Sequence, residues 1–227
     1  MKCSNLDSGL ISEYLNYYRK YYGAEYRHGQ GLDEITDIIS HYSNPGTWID
    51  LGGGTSSIIW LPAFNHIKEV LTVDKFEEAF YVQEMVRKEK PSGCYQHILD
   101  RYGKSHEHLS RIPISFMRAD LLENVNIPQR FDNVTQFGLL GLCSSKEQYF
   151  RQLDQFVSLM NSEAVFIGAN WILSKEYSVK RHLDNTYIKS SLIKEWSETR
   201  RRTLLEEQMI KIRNDRNYDS VFVYVFK

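Results

Sequence analysis

WIDLGGGT, residues 48–55, is the most informative stretch of this sequence. Its apolar first half predicts a short buried strand, which Gly52, Gly53 and Gly54 then interrupt. Glycines at such a point let a ligand approach the backbone, and the N–H groups at the start of the following helix are available to bind it. A glycine triplet alone is often only a tight turn, so the surrounding sequence has to show whether this one is a ligand-binding loop.

Strands and helices alternate along the rest of the chain. Further strands are predicted at residues 70–73, 114–117, 131–137 and 164–169. Helices are predicted at 9–22, 31–41, 56–66, 77–90, 145–160 and 187–198, with a polar helical insert at 94–111. Alternation of this kind implies βαβ units and a mostly parallel sheet that is covered on both faces. The last two strands, 203–212 and 220–226, are joined by a turn too short for a crossover helix and therefore pair antiparallel.

The composition is that of an ordinary α/β protein. With 227 residues, of which 42% are hydrophobic, the chain can bury one sizeable core. Its 28 basic residues face 29 acidic ones, which disfavours nucleic-acid binding by bulk charge. No apolar run approaches the ~20 residues that cross a bilayer, and the N-terminus lacks the apolar stretch of a signal peptide. The widely spaced Cys3, Cys94 and Cys143 are interpreted as reduced cysteines of a cytoplasmic protein.

Acidic side chains follow the carboxyl ends of the predicted strands, where sheets of this kind bind their ligands. Asp74 closes the second strand, within reach of both hydroxyls of a ribose, although an acid there can also cap the next helix. Asp120 follows the third strand, where a carboxylate can accept from an exocyclic amine. The fourth strand, FDNVTQF at residues 131–137, runs toward the same edge. In this order and spacing, the glycines and the acids predict a nucleotide-binding site.

Two cofactor classes compete for this pattern. The dinucleotide fingerprint G-x-G-x-x-G requires a glycine where this chain has Ser57. The acid before the glycines, Asp50, is better explained by S-adenosylmethionine, whose methionyl ammonium lies near such a loop. The motif D-x-G-x-G at residues 50–54 resembles that of class I S-adenosylmethionine-dependent methyltransferases, and the resemblance extends over residues 45–227.

The resemblance to class I methyltransferases implies a fold, a cofactor and a set of contacts. The fold is an α/β, Rossmann-like sheet of seven strands in the order 3-2-1-4-5-7-6, with strand 7 antiparallel. The cofactor is S-adenosyl-L-methionine, and its product is S-adenosyl-L-homocysteine. The implied cofactor-binding residues are Asp50, Gly52, Gly53, Gly54, Thr55, Asp74, Lys75, Asp120, Leu121, Gln136 and Phe137.

Tyrosines crowd the beginning of the chain, at positions 14, 17, 18, 21, 22 and 26. The pair Tyr21-Tyr22 is followed, after four residues, by Arg27-His28. Tyr17 stands four positions before the pair. This pattern is similar to one in the nicotinamide/phenylethanolamine/thioether N-methyltransferase family. The same spacing can also line an amphipathic face on the sheet, and one docked helix can do both.

The second resemblance implies how the chain is divided. Residues 1–44 would form a helical lid over a Rossmann-like core of residues 45–227, within a single methyltransferase domain. Tyr17 and Tyr22 would be further cofactor contacts. Where the family has a carboxylate that contacts substrate amines, this chain has Asn170.

The sequence favours methylation of a small molecule at nitrogen. Strand four is followed by no Asn/Asp-Pro-Pro-Tyr/Phe motif, which the amino-methylating enzymes of DNA bases carry there. No side chain at the strand ends is a convincing general base, which a hydroxyl acceptor would need. The candidates for a catalytic role are Tyr17, His28 and Asn170.

We expect an enzyme of secondary metabolism that acts on a small-molecule acceptor, with no nucleic-acid or membrane partner. No metal is expected, because His106 and His108 lie too close in sequence to share a helix face. The sequence leaves three alternatives open: a protein or peptide methyltransferase, a small-molecule O-methyltransferase, and a non-catalytic S-adenosylmethionine-binding protein. It carries no signal of the oligomeric state.

Overall fold

One mixed sheet forms the centre of the computed structural model, which describes residues 6–23, 25–26, 28–123 and 125–227. Its strands are β1 (Gly46–Leu51), β2 (Ile67–Asp74), β3 (Ile114–Arg118), β4 (Phe131–Phe137), β5 (Met160–Leu173), β6 (Leu204–Lys211) and β7 (Tyr218–Phe226). Their order is β3-β2-β1-β4-β5-β7-β6, and β7 is antiparallel to both of its neighbours. The expected fold class is therefore confirmed.

Helices cover both faces of the sheet. They are α1 (Ser8–Tyr18), α2 (Leu32–Tyr42), α3 (Ser57–Trp60), α4 (Glu77–Lys88), α5 (Gly93–Tyr102), α6 (His106–Leu109), α7 (Lys146–Val157), α8 (Lys175–Arg181) and α9 (Ser190–Arg200). A π-helical turn, Arg19–Gly23, continues α1, and 3-10 turns occupy Leu61–Ala63 and Leu139–Leu142. Cys3 and Arg27 lie outside the described residues. Among the helices that are described, none is both long and apolar enough to span a membrane.

β1 separates two apolar layers, because successive side chains of a strand point to opposite faces. Trp48 packs on Phe64, with ring centroids 4.2 Å apart, in the layer that α2, α3, α4 and α5 cover. Ile49 and Leu51 belong to the opposite layer, which α7 and α9 cover. All three β1 side chains are fully buried. A central parallel strand is buried on both faces, which explains why apolar side chains of β1 point to both layers and why its one acid, Asp50, is buried with them.

Several elements differ in length from the prediction. The helix expected within residues 56–66 stops after Trp60 and tightens into a 3-10 turn that contains Pro62, which has no N–H to continue an α-helix. β5 extends well beyond residues 164–169, because β7 pairs with it from Phe166 to Leu173. The sequence pattern does not predict α8, because this helix contains no buried residue and so lacks the apolar stripe by which helices are recognised in a sequence.

The expected polar insert at 94–111 is corrected in one respect. It is helical, as predicted, but its first helix, α5, buries Cys94, Tyr95, Ile98 and Leu99. These residues follow the i, i+1, i+4, i+5 spacing of one helix face, and that face packs into the same layer as α3. The segment therefore belongs to the core, with its polar residues on the outer side.

The N-terminal helix is attached to the sheet edge through α4. Asp7 caps α1 by accepting from the N–H groups of Gly9 and Leu10, at 2.7 and 3.3 Å. The N–H of Asp7 donates to Glu78 at 3.0 Å, and the rings of Tyr14 and Phe76 lie 6.2 Å apart. These contacts hold α1 and the following π turn beside the carboxyl ends of the central strands.

Candidate active site

A cavity of about 850 Å³ lies at the carboxyl ends of β1, β2 and β4. This is the point where the strand order reverses direction, from β1-β2-β3 to β4-β5, and a volume of this size suits a nucleotide-sized ligand. The predicted site residues that line it are Tyr17, Tyr22, Gly52, Gly53, Gly54, Thr55, Asp74, Lys75, Asp120, Leu121 and Phe137. Asp50, Gln136, Asn170 and His28 do not line it.

The glycine loop passes directly from β1 into the cavity wall. Gly52 and Gly54 have φ angles of 74° and 51°, a left-handed conformation that glycine adopts without strain. At Gly53 the restriction is contact rather than φ, because a Cβ there would collide with Ser57 Oγ and lie 2.7 Å from Asp50 Oδ2. The backbone of this loop is therefore exposed to the cavity with no side chain between them.

Asp74 joins the second strand to this loop. Its Oδ2 accepts from the N–H of Gly54 at 2.9 Å, and its Oδ1 accepts from the N–H of Phe76 at 3.2 Å, at the start of α4. The carboxylate thus holds the turn before α4 and borders the cavity, but it does not cap the helix, whose N-cap is Phe76 and has no side-chain cap hydrogen bond. Burial is the main cause that raises its pKa. Each oxygen keeps a lone pair for a ligand hydroxyl.

Asp50 lies beneath the loop rather than in the cavity wall. Its Oδ1 accepts from the hydroxyl of Thr135 at 2.7 Å, and the indole N–H of Trp48 donates to the same hydroxyl oxygen at 2.8 Å. Among the described residues, its Oδ2 has no partner in hydrogen-bond geometry, although the nearby hydroxyl of Ser57 interacts with the carboxyl group and lowers its pKa. Complete burial raises the pKa of Asp50 to about 6. A buried carboxyl with an unsatisfied oxygen, directly behind the loop, fits an ammonium group held on the other side of Gly53.

Asp120 and Lys75 form an ion pair at one end of the cavity. Lys75 Nζ lies 2.6 Å from Asp120 Oδ2, and the N–H of Leu122 donates to Asp120 Oδ1 at 3.2 Å. The hydrogen bond from Lys75 is the main cause that lowers the pKa of Asp120. The acid is therefore ionised at neutral pH and oriented, as an acceptor for an exocyclic amine requires.

Gln136 and Asn170 are used inside the protein. Gln136 Nε2 donates to the hydroxyl of Tyr224 at 3.0 Å and to Asn170 Oδ1 at 3.2 Å, and the hydroxyl of Tyr149 donates to Asn170 Oδ1 at 2.9 Å. Gln136 Oε1 accepts from the N–H of Leu140 at 3.1 Å. This buried network holds the turn that follows β4 against β5 and β7. Both amides therefore lie behind the cavity wall and do not line the cavity. Phe137, which follows Gln136 in the chain, does line it.

The tyrosine segment is divided between the core and the cavity. Tyr18 is buried, with 7% of its surface exposed, whereas Tyr17, which is 46% exposed, lines the cavity. The π turn brings Tyr21 and Tyr22 to the cavity together, although neighbouring residues of a regular helix point about 100° apart. The Tyr17 ring lies 4.8 Å from that of Tyr21 and 6.2 Å from that of Tyr22. One helix therefore packs on the core and borders the cavity.

His28, the remaining catalytic candidate, lies elsewhere. Its side chain is 79% exposed, and its Nδ1 is 3.5 Å from Asp33. His97 lies 3.3 Å from the same carboxylate and stacks on Tyr26 at 3.6 Å. These contacts tie the segment after the π turn to α2 and α5. Across the described parts of the chain, no group of three or more potential ligand side chains could hold a metal ion.

The cavity is also lined by Trp171, Tyr177 and Tyr218, which the sequence did not indicate. Its far part, which we call the aromatic end, is bounded by Tyr17, Tyr21, Trp171, Tyr177 and Tyr218. Asn185 supports this part: its Nδ2 donates to the carbonyl of Trp171 at 2.9 Å, and its Oδ1 accepts from the N–H of Leu173 at 2.9 Å. Trp171, Tyr177 and Tyr218 belong to no local motif, so nothing in the sequence marks them as neighbours of the N-terminal tyrosines.

Comparison with known proteins identifies the fold. No protein-family model matches the chain, and no curated protein matches it. Among solved structures, it is similar to N-methyltransferase NodS from Bradyrhizobium japonicum WM9 in complex with S-adenosyl-L-homocysteine, at 12% identity and a TM-score of 0.58, covering 86% of this chain and 84% of that one. It is also similar to magnesium protoporphyrin IX methyltransferase (ChlM) from Synechocystis PCC 6803 with bound SAM, at 16% identity and a TM-score of 0.60, covering 99% of both chains.

A third similar structure is an S-adenosylmethionine-dependent methyltransferase from Clostridium acetobutylicum ATCC 824, at 11% identity and a TM-score of 0.57. That alignment covers 96% of this chain and 98% of the other. At such identities the likeness extends to the fold, and the sheet order agrees with it. The chain has the fold of the class I S-adenosylmethionine-dependent methyltransferases.

Proposed function

We propose that this protein is an S-adenosylmethionine-dependent methyltransferase. The observation that carries the proposal is the position of Asp74, whose carboxylate is held against Gly54 at the wall of a cavity that also contains the open glycine loop. A ribose bound to this carboxylate would place an adenine near Asp120 and a methionyl group along the loop toward Asp50. Each of these carboxylates is complementary to the part of the cofactor that would lie beside it.

S-adenosylmethionine supplies an activated methyl group, so the protein mainly has to align the acceptor and exclude water. The rings of Tyr17 and Tyr22 are suited to this, because aromatic faces attract a cation and their bulk displaces solvent. Tyr22 also interacts with Ser56 of the glycine loop, which ties the π turn to the cofactor side of the cavity. We assign residues 1–44 the role of a lid on this basis, within one domain that comprises residues 1–227.

The acceptor we propose is a small molecule that is methylated at nitrogen. The described residues of the cavity wall include no histidine, and burial raises the pKa of Tyr218, so this phenol stays protonated at neutral pH. Asp215, the acid beside Tyr218, is oriented by its own turn, because its Oδ1 accepts from the N–H groups of Asn217 and Tyr218 at 2.7 and 3.2 Å. A neutral nitrogen nucleophile needs no base, which makes it the acceptor that suits these side chains. A cytoplasmic location and a role in secondary metabolism remain part of this proposal.

Isothermal titration calorimetry with S-adenosylhomocysteine tests the assignment. The unmodified protein is expected to bind it, and Asp74→Asn is expected to weaken binding roughly 10- to 100-fold, because charge-assisted hydrogen bonds contribute about 1.5–3 kcal/mol. Glu69→Gln is the matched control: it removes a carboxylate from an exposed position of the same strand and should leave the affinity unchanged. Absence of binding to the unmodified protein, or equal affinities of Asp74→Asn and the control, would contradict the proposed function.

A further inference from the structure

We infer that the aromatic end of the cavity receives a planar aromatic acceptor that carries a negative charge, such as a carboxylate. This inference rests on the proposed function, because it concerns the part of the cavity beyond the expected position of the methyl donor. Two independent features carry it: the shape and chemistry of the walls, and the charge that faces the opening.

The walls are aromatic on several sides. The rings of Tyr17 and Tyr21 lie 4.8 Å apart, and those of Tyr177 and Tyr218 lie 5.8 Å apart in an edge-to-face arrangement. The phenol of Tyr218 also interacts electrostatically with those of Tyr17 and Tyr21, so the two pairs face a common space. Flat ring faces exclude water and stack on a planar molecule, whereas they offer few hydrogen bonds to a flexible polar one.

Arg181 supplies a positive charge to this space. It is the last residue of α8, it lines the cavity, and its guanidinium lies 5.9 Å from the centre of the Tyr177 ring. Within the part of the chain that the structure describes, no carboxylate forms an ion pair with it. A guanidinium beside an aromatic ring and without a protein acid suits a ligand carboxylate, which it can bind through two parallel hydrogen bonds.

The other cation among the described residues that line the cavity is already paired. Lys75 is paired with Asp120 at the opposite end, next to Asp74 and Glu123. The acid of the aromatic end, Asp215, has one oxygen engaged by two N–H groups of its own turn. Arg181 is therefore the cation available to an acceptor among the described lining residues. An aromatic enclosure without it would favour an alkylammonium ligand, so this arginine is what changes the expected sign of the charge.

Binding of matched aromatic probes tests the inference. In the presence of saturating S-adenosylhomocysteine, we would titrate 4-aminobenzoate, 4-aminobenzamide and 4-aminobenzylamine, together with the corresponding naphthalene series for a larger ring. In at least one series, the carboxylate is expected to bind about ten times more tightly than its amide and its aminomethyl analogue. Arg181→Gln should abolish that preference, and Arg181→Lys should keep part of it. Lys180→Gln removes the adjacent exposed charge outside the cavity wall and should keep all of it.

The possible outcomes separate this inference from the proposed function. If S-adenosylhomocysteine itself does not bind, the proposed function fails and the inference fails with it. If it binds but the aminomethyl compound or the amide is preferred in both series, only the charge of the acceptor is wrong. An equal loss of preference in Arg181→Gln and Lys180→Gln would also overturn the inference, because it would show a general charge effect rather than a pairing with Arg181.

Discussion

Two carboxylates, Asp50 and Asp74, lie on either side of the same glycine loop and are held differently. Asp74 borders the cavity and accepts two backbone hydrogen bonds, whereas Asp50 is completely buried and accepts from one hydroxyl. Burial disfavours the charged form, which is why the pKa of Asp50 rises to about 6. At the scale of single residues, the loop is thus backed by a carboxyl group that changes charge in weakly acidic solution.

The raised pKa of Asp50 predicts how stability depends on pH. In the unfolded chain the group titrates near 3.8, and in the folded protein near 6. Between these values the folded state binds more protons, so the free energy of unfolding falls as the pH rises, by about 2–3 kcal/mol in all. Asp50→Asn keeps the acceptor for Thr135 and removes the titration. Urea denaturation of both proteins at pH 4 and pH 7 measures the effect. The free energy of unfolding of the variant, relative to that of the unmodified protein, should be about 2–3 kcal/mol higher at pH 7 than at pH 4. If this relative stability is the same at both pH values, the pKa of Asp50 is not raised by folding.

The N-terminal helix shows how one element serves both packing and binding. α1 presents Tyr18 to the core, while the π turn after it directs Tyr21 and Tyr22 to the cavity. π turns are frequent at functional sites because the extra residue re-aims the side chains around it. Tyr22 also packs against the core, so its replacement by alanine would affect folding and binding together. Tyr17 and Tyr18 separate the two effects better.

At the scale of this helix, we predict opposite results for two adjacent tyrosines. Tyr17→Ala should weaken S-adenosylhomocysteine binding several-fold and change the free energy of unfolding by less than about 1 kcal/mol, since the side chain is half exposed. Tyr18→Ala should cost about 3 kcal/mol, because it leaves a cavity in the core, and should affect affinity less. Calorimetric titration and denaturant unfolding of both variants check this. If the two variants lose affinity and stability in parallel, the helix acts as one packing unit.

At the scale of the whole molecule, the cavity exists because the topology brings distant segments to one edge. β1 pairs in parallel with β2 and with β4, so the carboxyl ends of these strands meet. β7 returns antiparallel along β5 and carries Tyr218 back to the same edge. The cavity wall is therefore assembled from the first helix, the central strands and the last hairpin, and a ligand bound there contacts elements from both halves of the chain.

A ligand that contacts all these elements should stabilise the folded state as a whole. At 100 times its dissociation constant, S-adenosylhomocysteine is expected to raise the free energy of unfolding by about 2.7 kcal/mol. For a chain of this length that corresponds to an increase of roughly 5 to 10 °C in Tm, measured by scanning calorimetry. Asp74→Asn at the same ligand concentration should show a smaller increase. Lack of any increase at such concentrations would show that the ligand does not bind the folded state in preference to the unfolded chain.

Sequence alone was sufficient for the parts of this protein that depend on neighbouring residues. The apolar run of β1, the glycine loop and the acids after the second and third strands are local patterns, and Asp74 and Asp120 do border one cavity. Strand order followed from the resemblance that these patterns supported. Local patterns also explain the differences: α8 has no apolar face to reveal it, and the sequence of α5 indicates a polar helix because its charged side chains conceal a buried stripe.

Only the tertiary structure decided what each polar or aromatic residue near the site is able to do. The predicted strand bounds put Gln136 and Asn170 at strand ends like site residues, yet Tyr149 and Tyr224, from distant parts of the chain, engage both in a buried network. Likewise, the aromatic end forms, and Arg181 comes to lie beside it, only because the fold brings the first helix, α8 and β7 together. Sequence spacing determines which residues share a strand or a helix face. Contacts between distant segments depend on the order of the strands in the sheet, and this order decides which hydrogen-bond partner lies beside each buried polar group.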